Sequence, residues 1–213
     1  MPLCSKTFQF VLVSFFIHLS LLPLEAANDY AAPVRKVTGK IQIDGVLSEP
    51  VWQEKPSISN LTQAEPHPGE PPMEATRVWL AVTEDALYIA VRCEDHYAKQ
   101  IVATEMHRDA FLMDSDNIEI VLDTYHDHRN AYFFSTNPVG ALVDGRITEN
   151  QEGNLEWDGM WTVRTRMDSQ GWTAEFEIPF KTIGFNPNVS AWGFNISRFL
   201  ARGRETSRWA SPT

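Results

Sequence analysis

The sequence predicts an all-β chain folded as an antiparallel β-sandwich. Three observations point there: about eight short runs alternate apolar and polar residues, turn-forming residues separate the runs, and no helical period lasts longer than two turns. A length of 213 residues suits one domain, and 43% hydrophobic with 22% charged residues is ordinary globular composition. The formal net charge of −10 argues against nucleic acid or anionic lipid as the main partner. No repeat, low-complexity tract or heptad is present.

Residues 1–27 read as a secretory signal peptide. Lys6 supplies a positive start, Phe8–Leu24 is largely apolar, and the small Ala26 and Ala27 follow. The expected location is therefore secreted, in the periplasm or at the outer membrane. Cys4 precedes the apolar run, so it is not placed as a lipid-attachment cysteine. Cleavage after Ala26 leaves Cys93 alone, which excludes an intramolecular disulfide and suits a buried small hydrophobe.

The remaining stretch, 28–213, is expected to form one sandwich domain. From Asn28 to Pro72 it is mostly irregular, with a short strand over Ile41–Gly45, an Asp-Gly turn, and a helical turn near Ser48–Trp52. Trp52 is expected to plug one end of the core. Pro66, Pro68, Pro71 and Pro72 make an extended crossing that cannot donate to a ladder. Thr76–Val82 and Leu87–Cys93 form a pair about a Glu84-Asp85 turn, with Val78, Leu80, Leu87, Ile89, Val91 and Cys93 facing inward. Later, Trp161, Val163, Thr165 and Met167 alternate with polar neighbours. The return strand sends Trp172, Ala174, Phe176 and Ile178 inward and Thr173, Glu175 and Glu177 outward. That register sets Arg164 opposite Glu175, a pair worth about a few tenths of a kcal/mol. Trp192–Phe199 sends Phe194 and Ile196 inward and Asn195 and Ser197 outward.

The stretch Asp114–Asp144 carries the most chemistry. Two β-rich runs, Asn117–Asp123 and Ala131–Asn137, flank a polar loop. Ile118, Ile120 and Leu122 share one face of the first run. Asn117, Glu119, Val121 and Asp123 share the other, and Phe133, Ser135 and Asn137 alternate with Tyr132, Phe134 and Thr136 in the second. The polar side thus offers a carboxylate, an amide, a hydroxyl and an aromatic ring, the groups a sugar ring requires.

Catalysis is not expected. Glu119 and Asp123 are about 13 Å apart along one strand face at roughly 3.3 Å per residue. Paired glycosidase carboxylates stand about 5.5 Å or up to about 9.5 Å apart. Gly-x-Ser-x-Gly, His-Glu-x-x-His and phosphate-loop motifs are missing. His126, Asp127 and His128 read as a solvated loop.

Five motifs in order resemble carbohydrate-binding module family 9. They are Ile43-Asp-Gly-Val-Leu-Ser-Glu-Pro-Val-Trp52, Leu87-Tyr-Ile-Ala-Val-Arg-Cys-Glu-Asp95, Asp114-Ser-Asp-Asn-Ile-Glu-Ile-Val-Leu-Asp123, Trp172–Phe180 and Trp192-Gly-Phe-Asn195. The likeness runs from about Lys40 to Trp209 and is nearest to the version at the N-terminus of large bacterial outer-membrane proteins of unassigned activity. It implies a β-sandwich of the family 9, DOMON-like type, a non-catalytic carbohydrate-binding role in glycan binding or breakdown, and an oligo- or polysaccharide as partner. By the same comparison the family's last strand would lie beyond Thr213, with a membrane barrel further on.

Glu119 matches the family's ligand-binding glutamate and Asn137 its asparagine. The first sandwiching tryptophan falls at Met113 and the binding arginine at Ser135. Phe133 is then the expected apolar platform, and Asn195 and Ser197 the further donors. Asp95, Asp114 and Asp116 match the family's acidic cluster, which implies a structural calcium. Two alternatives stay open: a haem-binding electron-transfer sandwich using Met106, His107 or Met113, and an interaction cap for an outer-membrane barrel.

Overall fold

Alternation becomes two stacked sheets in the computed structural model, which describes residues 30–151 and 153–210. The signal-peptide reading of residues 1–27 lies outside these residues. The strands in chain order are β1 (Arg35–Lys36), β2 (Thr62–Glu65), β3 (Thr76–Val82), β4 (Ala86–Glu94), β5 (Asn117–Asp123) and β6 (Ala131–Thr136). They continue with β7 (Val143–Ile147), β8 (Thr162–Asp168), β9 (Gly171–Pro179), β10 (Gly193–Leu200) and β11 (Glu205–Arg208). Sheet I has the order β1-β3-β4-β9-β8, and sheet II the order β2-β11-β10-β5-β6-β7. Every pairing is antiparallel except β1 with β3.

The core lies between the sheets and collects the inward residues that the alternation named. Val78, Ile89, Val91, Ile118, Ile120, Phe134, Trp172, Phe176 and Ile178 are all fully buried there. Cys93 joins them; burial pushes its thiol up to about 12, so it is an inert hydrophobe rather than a nucleophile. On β8 the inward set stops after Val163, and Met167 is exposed.

The irregular N-terminal segment departs from expectation. Ile41–Gly45 forms no strand; the regular pieces are β1, β2 and a short 3₁₀ turn over Pro50–Gln53. Nor does Trp52 plug an end of the core. With Ile41 and Val51 it packs on the outer face of sheet I, against Trp79, Ala81, Tyr88 and Ala90. The small Ala81 and Ala90 leave room for the large rings, so β3 and β4 are buried on both faces.

This cover changes the fate of Glu175. Arg164 does stand opposite it in register, but the two make no ion pair. The Glu175 carboxylate is fully buried and accepts from Asp44 N at 3.1 Å, Gly45 N at 2.7 Å and Trp52 Nε1 at 2.9 Å. Gly45 has φ of +82°, and a Cβ there would stand 2.9 Å from the Thr165 carbonyl carbon. Only glycine fits that turn. Among the described residues the outer face of sheet II is covered only at its β6–β7 side, by Ala110 and Leu112 against Phe133 and Val143, and β11 pairs with β10 on one side and β2 on the other.

Candidate functional site

The open face of sheet II is organised in rows by strand register. Ser135 stands opposite Glu119, Glu119 opposite Ser197, and Ser197 opposite Arg208, so four polar side chains cross β6, β5, β10 and β11 in one line. A second row runs parallel to it: Asn117 opposite Phe199, Phe199 opposite Thr206, Thr206 opposite Glu65. Side chains on the same face of neighbouring strands are in contact range. The Phe111–Met113 loop, Leu155 and Arg204 raise walls around these rows, giving a groove of about 510 Å³.

Glu119 is at its centre. The concave wall removes water around the carboxylate and raises its pKa, and the Arg208 guanidinium partly offsets this. Ser135 Oγ is already engaged, donating to Ile118 O at 3.0 Å. Phe111 is 75% exposed and Met113 64% exposed, both on the groove rim. A second cavity of about 490 Å³ is lined by Leu87, Leu122, Trp192, Phe194 and Trp209 and carries no charged side chain.

The structure thus gathers Glu119, Ser135, Phe133 and Ser197 in one groove. Phe133 contributes little area: it is only 9% exposed, because the backbones at Gly145 and Gly153 press on its ring. The apolar surface belongs instead to the half-buried Phe199 and to Phe111, Met113 and Leu155, which are exposed. Asn137 and Asn195 do not line the groove. Asn137 is one residue past the end of β6 and fully buried. Its amide donates to Glu105 O at 2.6 Å and accepts from Val139 N and Ala141 N, which folds the connection to β7. Asn195 bonds Ala210 through both side-chain atoms, continuing the pairing of β10 past the end of β11.

Alternation from Asn195 and Ser197 also points to Phe199, which the sequence reading had not singled out. Arg204, Arg208, Thr206 and Glu65 had no such signal, because their place depends on how β11 and β2 add to the sheet.

The three acidic residues expected to form a metal cluster divide. Asp114 is exposed, whereas Asp95 and Asp116 are buried at the end of the core. Asp95 Oδ1 accepts from Tyr97 N at 2.7 Å and lies 3.2 Å from Arg202 Nη2; Asp116 Oδ2 accepts from Val102 N at 2.9 Å. The other oxygen of each, Asp95 Oδ2 and Asp116 Oδ1, is buried without a hydrogen-bond partner. Burial raises the Asp116 pKa, and the Asp95 charge adds to the shift while Arg198 opposes it. The two orphaned hard oxygens are of the kind calcium takes, but the Arg198 and Arg202 guanidiniums already place positive charge beside them, and Asp114 lies outside the set.

Asp109, Asp144 and Asp158 come within 4.8 Å of one another through one oxygen each. That cluster already holds a cation. Arg108 places Nη2 2.5 Å from Asp144 Oδ1 and Nε 2.8 Å from Asp158 Oδ1. Met106 and His107, named for haem, are exposed outside the groove, while Met113 lines it.

Residues 43–210 match the model of the carbohydrate family 9 binding domain-like family. The chain belongs to that family. Among solved structures, this family 9 domain resembles a carbohydrate-binding module family 9 from Caldicellulosiruptor kristjanssonii in complex with cellotriose, at TM-score 0.55 and 16% identity over 83% of this chain and 84% of that one. The same module in complex with glucose gives TM-score 0.55 and 16% identity, over 83% and 85%. A candidate carbohydrate-binding protein from Bacteroides uniformis gives TM-score 0.62 and 13% identity, over 84% and 91%. These likenesses are likenesses of fold. No curated protein matches the chain.

Proposed function

We propose that this domain is a non-catalytic saccharide-binding module whose site is the groove on the open face of sheet II. The observation that carries the reading is the polar row Ser135–Glu119–Ser197–Arg208 beside the Phe199 ring, inside a concave wall. A pyranose presents hydroxyls around its edge and C–H groups on its faces. Its binding therefore needs hydrogen-bond partners next to apolar surface. Glu119 supplies a charged acceptor, Ser197 a hydroxyl, Arg208 donors, and Phe199 with Phe111 the apolar surface. The solved family 9 module holding cellotriose lends support, as a fold relative.

Calorimetric titration with short xylo- and cello-oligosaccharides tests the site. Loss of one hydrogen bond to a charged acceptor costs about 1.5–3 kcal/mol, so Glu119→Ala should weaken binding by roughly ten- to a hundredfold. Asn195→Ala should leave affinity nearly unchanged, because that side chain bonds Ala210 outside the groove. Unchanged affinity in Glu119→Ala would sink the assignment.

Calcium would be held by Asp95 and Asp116 and would act structurally, by neutralising their charge. Added calcium should then raise the melting temperature by mass action, and Asp116→Ala should abolish the rise. A melting curve indifferent to both calcium and chelator would overturn this part. Export to the cell envelope, in the service of a membrane barrel or of glycan breakdown, completes the proposal. N-terminal sequencing of the envelope-bound protein checks the export; a chain still starting at Met1 would refute it.

A further inference from the structure

Among the described residues six arginines pair with no carboxylate, Arg146, Arg164, Arg166, Arg198, Arg204 and Arg208, and of these only Arg204 and Arg208 line the groove. Arg35, Arg77, Arg92, Arg129 and Arg202 each pair with a carboxylate. Arg204 and Arg208 also lie among acids, with Glu65, Asp109 and Glu119 around the same groove, yet neither side chain makes an ion pair or a hydrogen bond among the described residues. Both are exposed and both line the β11 side of the groove. The backbone holds them there. Arg208 is fixed by its register against Ser197 and Thr62, and Arg204 takes a left-handed φ of 47° that ends the turn before β11.

We infer that the groove is built for a saccharide carrying one carboxylate, a uronate substituent on an otherwise neutral chain, with Arg208 and Arg204 as its partners. This rests on the saccharide-binding reading of the same groove. A guanidinium presents planar paired donors that match a carboxylate, and such charge-assisted bonds are stronger than bonds to hydroxyls. Position decides how many charges the ligand can carry. Glu119 lies two strands from Arg208 in the same row, about 10 Å between backbones at about 4.8 Å per strand. Glu65 stands opposite Thr206, diagonal to both arginines, so the three side chains leave a net charge of about +1 on the β11 side. A polyuronate would bring further carboxylates against Glu119 and Glu65 and be repelled. A neutral backbone with one acidic branch puts hydroxyls on Glu119 and its charge between the arginines.

Titration of the protein with xylotriose and with xylotriose bearing one glucuronate branch tests this. The branched sugar should bind about tenfold more tightly. Arg208→Gln should remove most of that preference, weakening the branched sugar clearly more than xylotriose, and about 1 M salt should shrink the preference in the native chain. Equal affinity of the native chain for the two sugars would overturn the inference and leave saccharide binding standing. A preference that survives in the Arg204→Gln, Arg208→Gln double variant would also overturn it. If a cooperatively melting protein binds neither sugar, both the inference and the reading beneath it fall.

Discussion

Glu119 and Glu175 occupy matching places on opposite sheets. Each is mid-strand, each points away from the core, and each is flanked by fully buried neighbours, Ile118 and Ile120 for one, Ala174 and Phe176 for the other. In both cases loss of water raises the carboxyl pKa. Their surroundings differ. The 41–52 segment folds over Glu175 and gives it three donors from the chain itself. Among the described residues the Glu119 carboxylate receives no hydrogen bond, only the distant help of Arg208. Glu119 is exposed at the groove floor, so the thinned water around it costs less than the full burial of Glu175 does. On sheet I the fold offsets part of that cost internally; on sheet II the donors come from outside, from water or from a ligand. The contrast separates a carboxylate satisfied by the fold from one that the proposed saccharide site leaves free for a ligand.

The largest test of this comparison is Glu175→Ala. It would leave Asp44 N, Gly45 N and the Trp52 indole without an acceptor under a buried cover. At about 1–3 kcal/mol for each buried donor, a loss of roughly 3–5 kcal/mol is expected after local relaxation, read from denaturant unfolding. A loss below about 1 kcal/mol would mean that the cover does not depend on Glu175.

Glu175→Gln sharpens the point through pH. The folded pKa is raised from 4.5 to about 7, so the folded state holds the proton more tightly than the unfolded chain. This contribution to stability is therefore fully present below about pH 4.5 and is lost as pH rises through about 7, a difference of about 3 kcal/mol. Comparing native and Glu175→Gln melting between pH 4.5 and 7.5 should show that downward component missing in the variant. Parallel curves would show that Glu175 does not titrate there.

Much of this arrangement could be read in the chain. Strict alternation placed Glu119, Ser135 and Ser197 on one face, because a period of two is a local property that β5, β6 and β10 each obey. The hairpin of β5 and β6 was legible to within one residue. That one residue mattered: Asn137 keeps the parity of Ser135 but falls past the strand end, where its amide folds a turn. The cover on sheet I was not legible, since an irregular segment has no period to show which face it packs on. Glu175 therefore read as a surface residue paired with Arg164. Arg208 was hidden for a different reason: its place beside Ser197 is set by pairing between strands, which its own neighbours do not encode.

The smallest expected effect, and the one that most directly separates the two carboxylates, is Glu119→Gln. Removing the charge from the groove takes away the desolvation cost without opening a hole, since glutamine has nearly the same shape. The raised folded pKa means that ionised Glu119 contributes least to stability at neutral and higher pH. The variant should therefore melt slightly higher than the native chain at pH 7. The side chain is partly open to solvent, so screening keeps the gain below about 1 kcal/mol, or less than about 4 °C for a chain of this size. The same variant should bind saccharide more weakly, because a neutral amide replaces the charged acceptor. A gain in stability with a loss of affinity is the signature of a group kept for recognition. If Glu119→Gln instead melts lower, as Glu175→Ala must, then Glu119 holds a bond within the fold and the two faces are not different in kind.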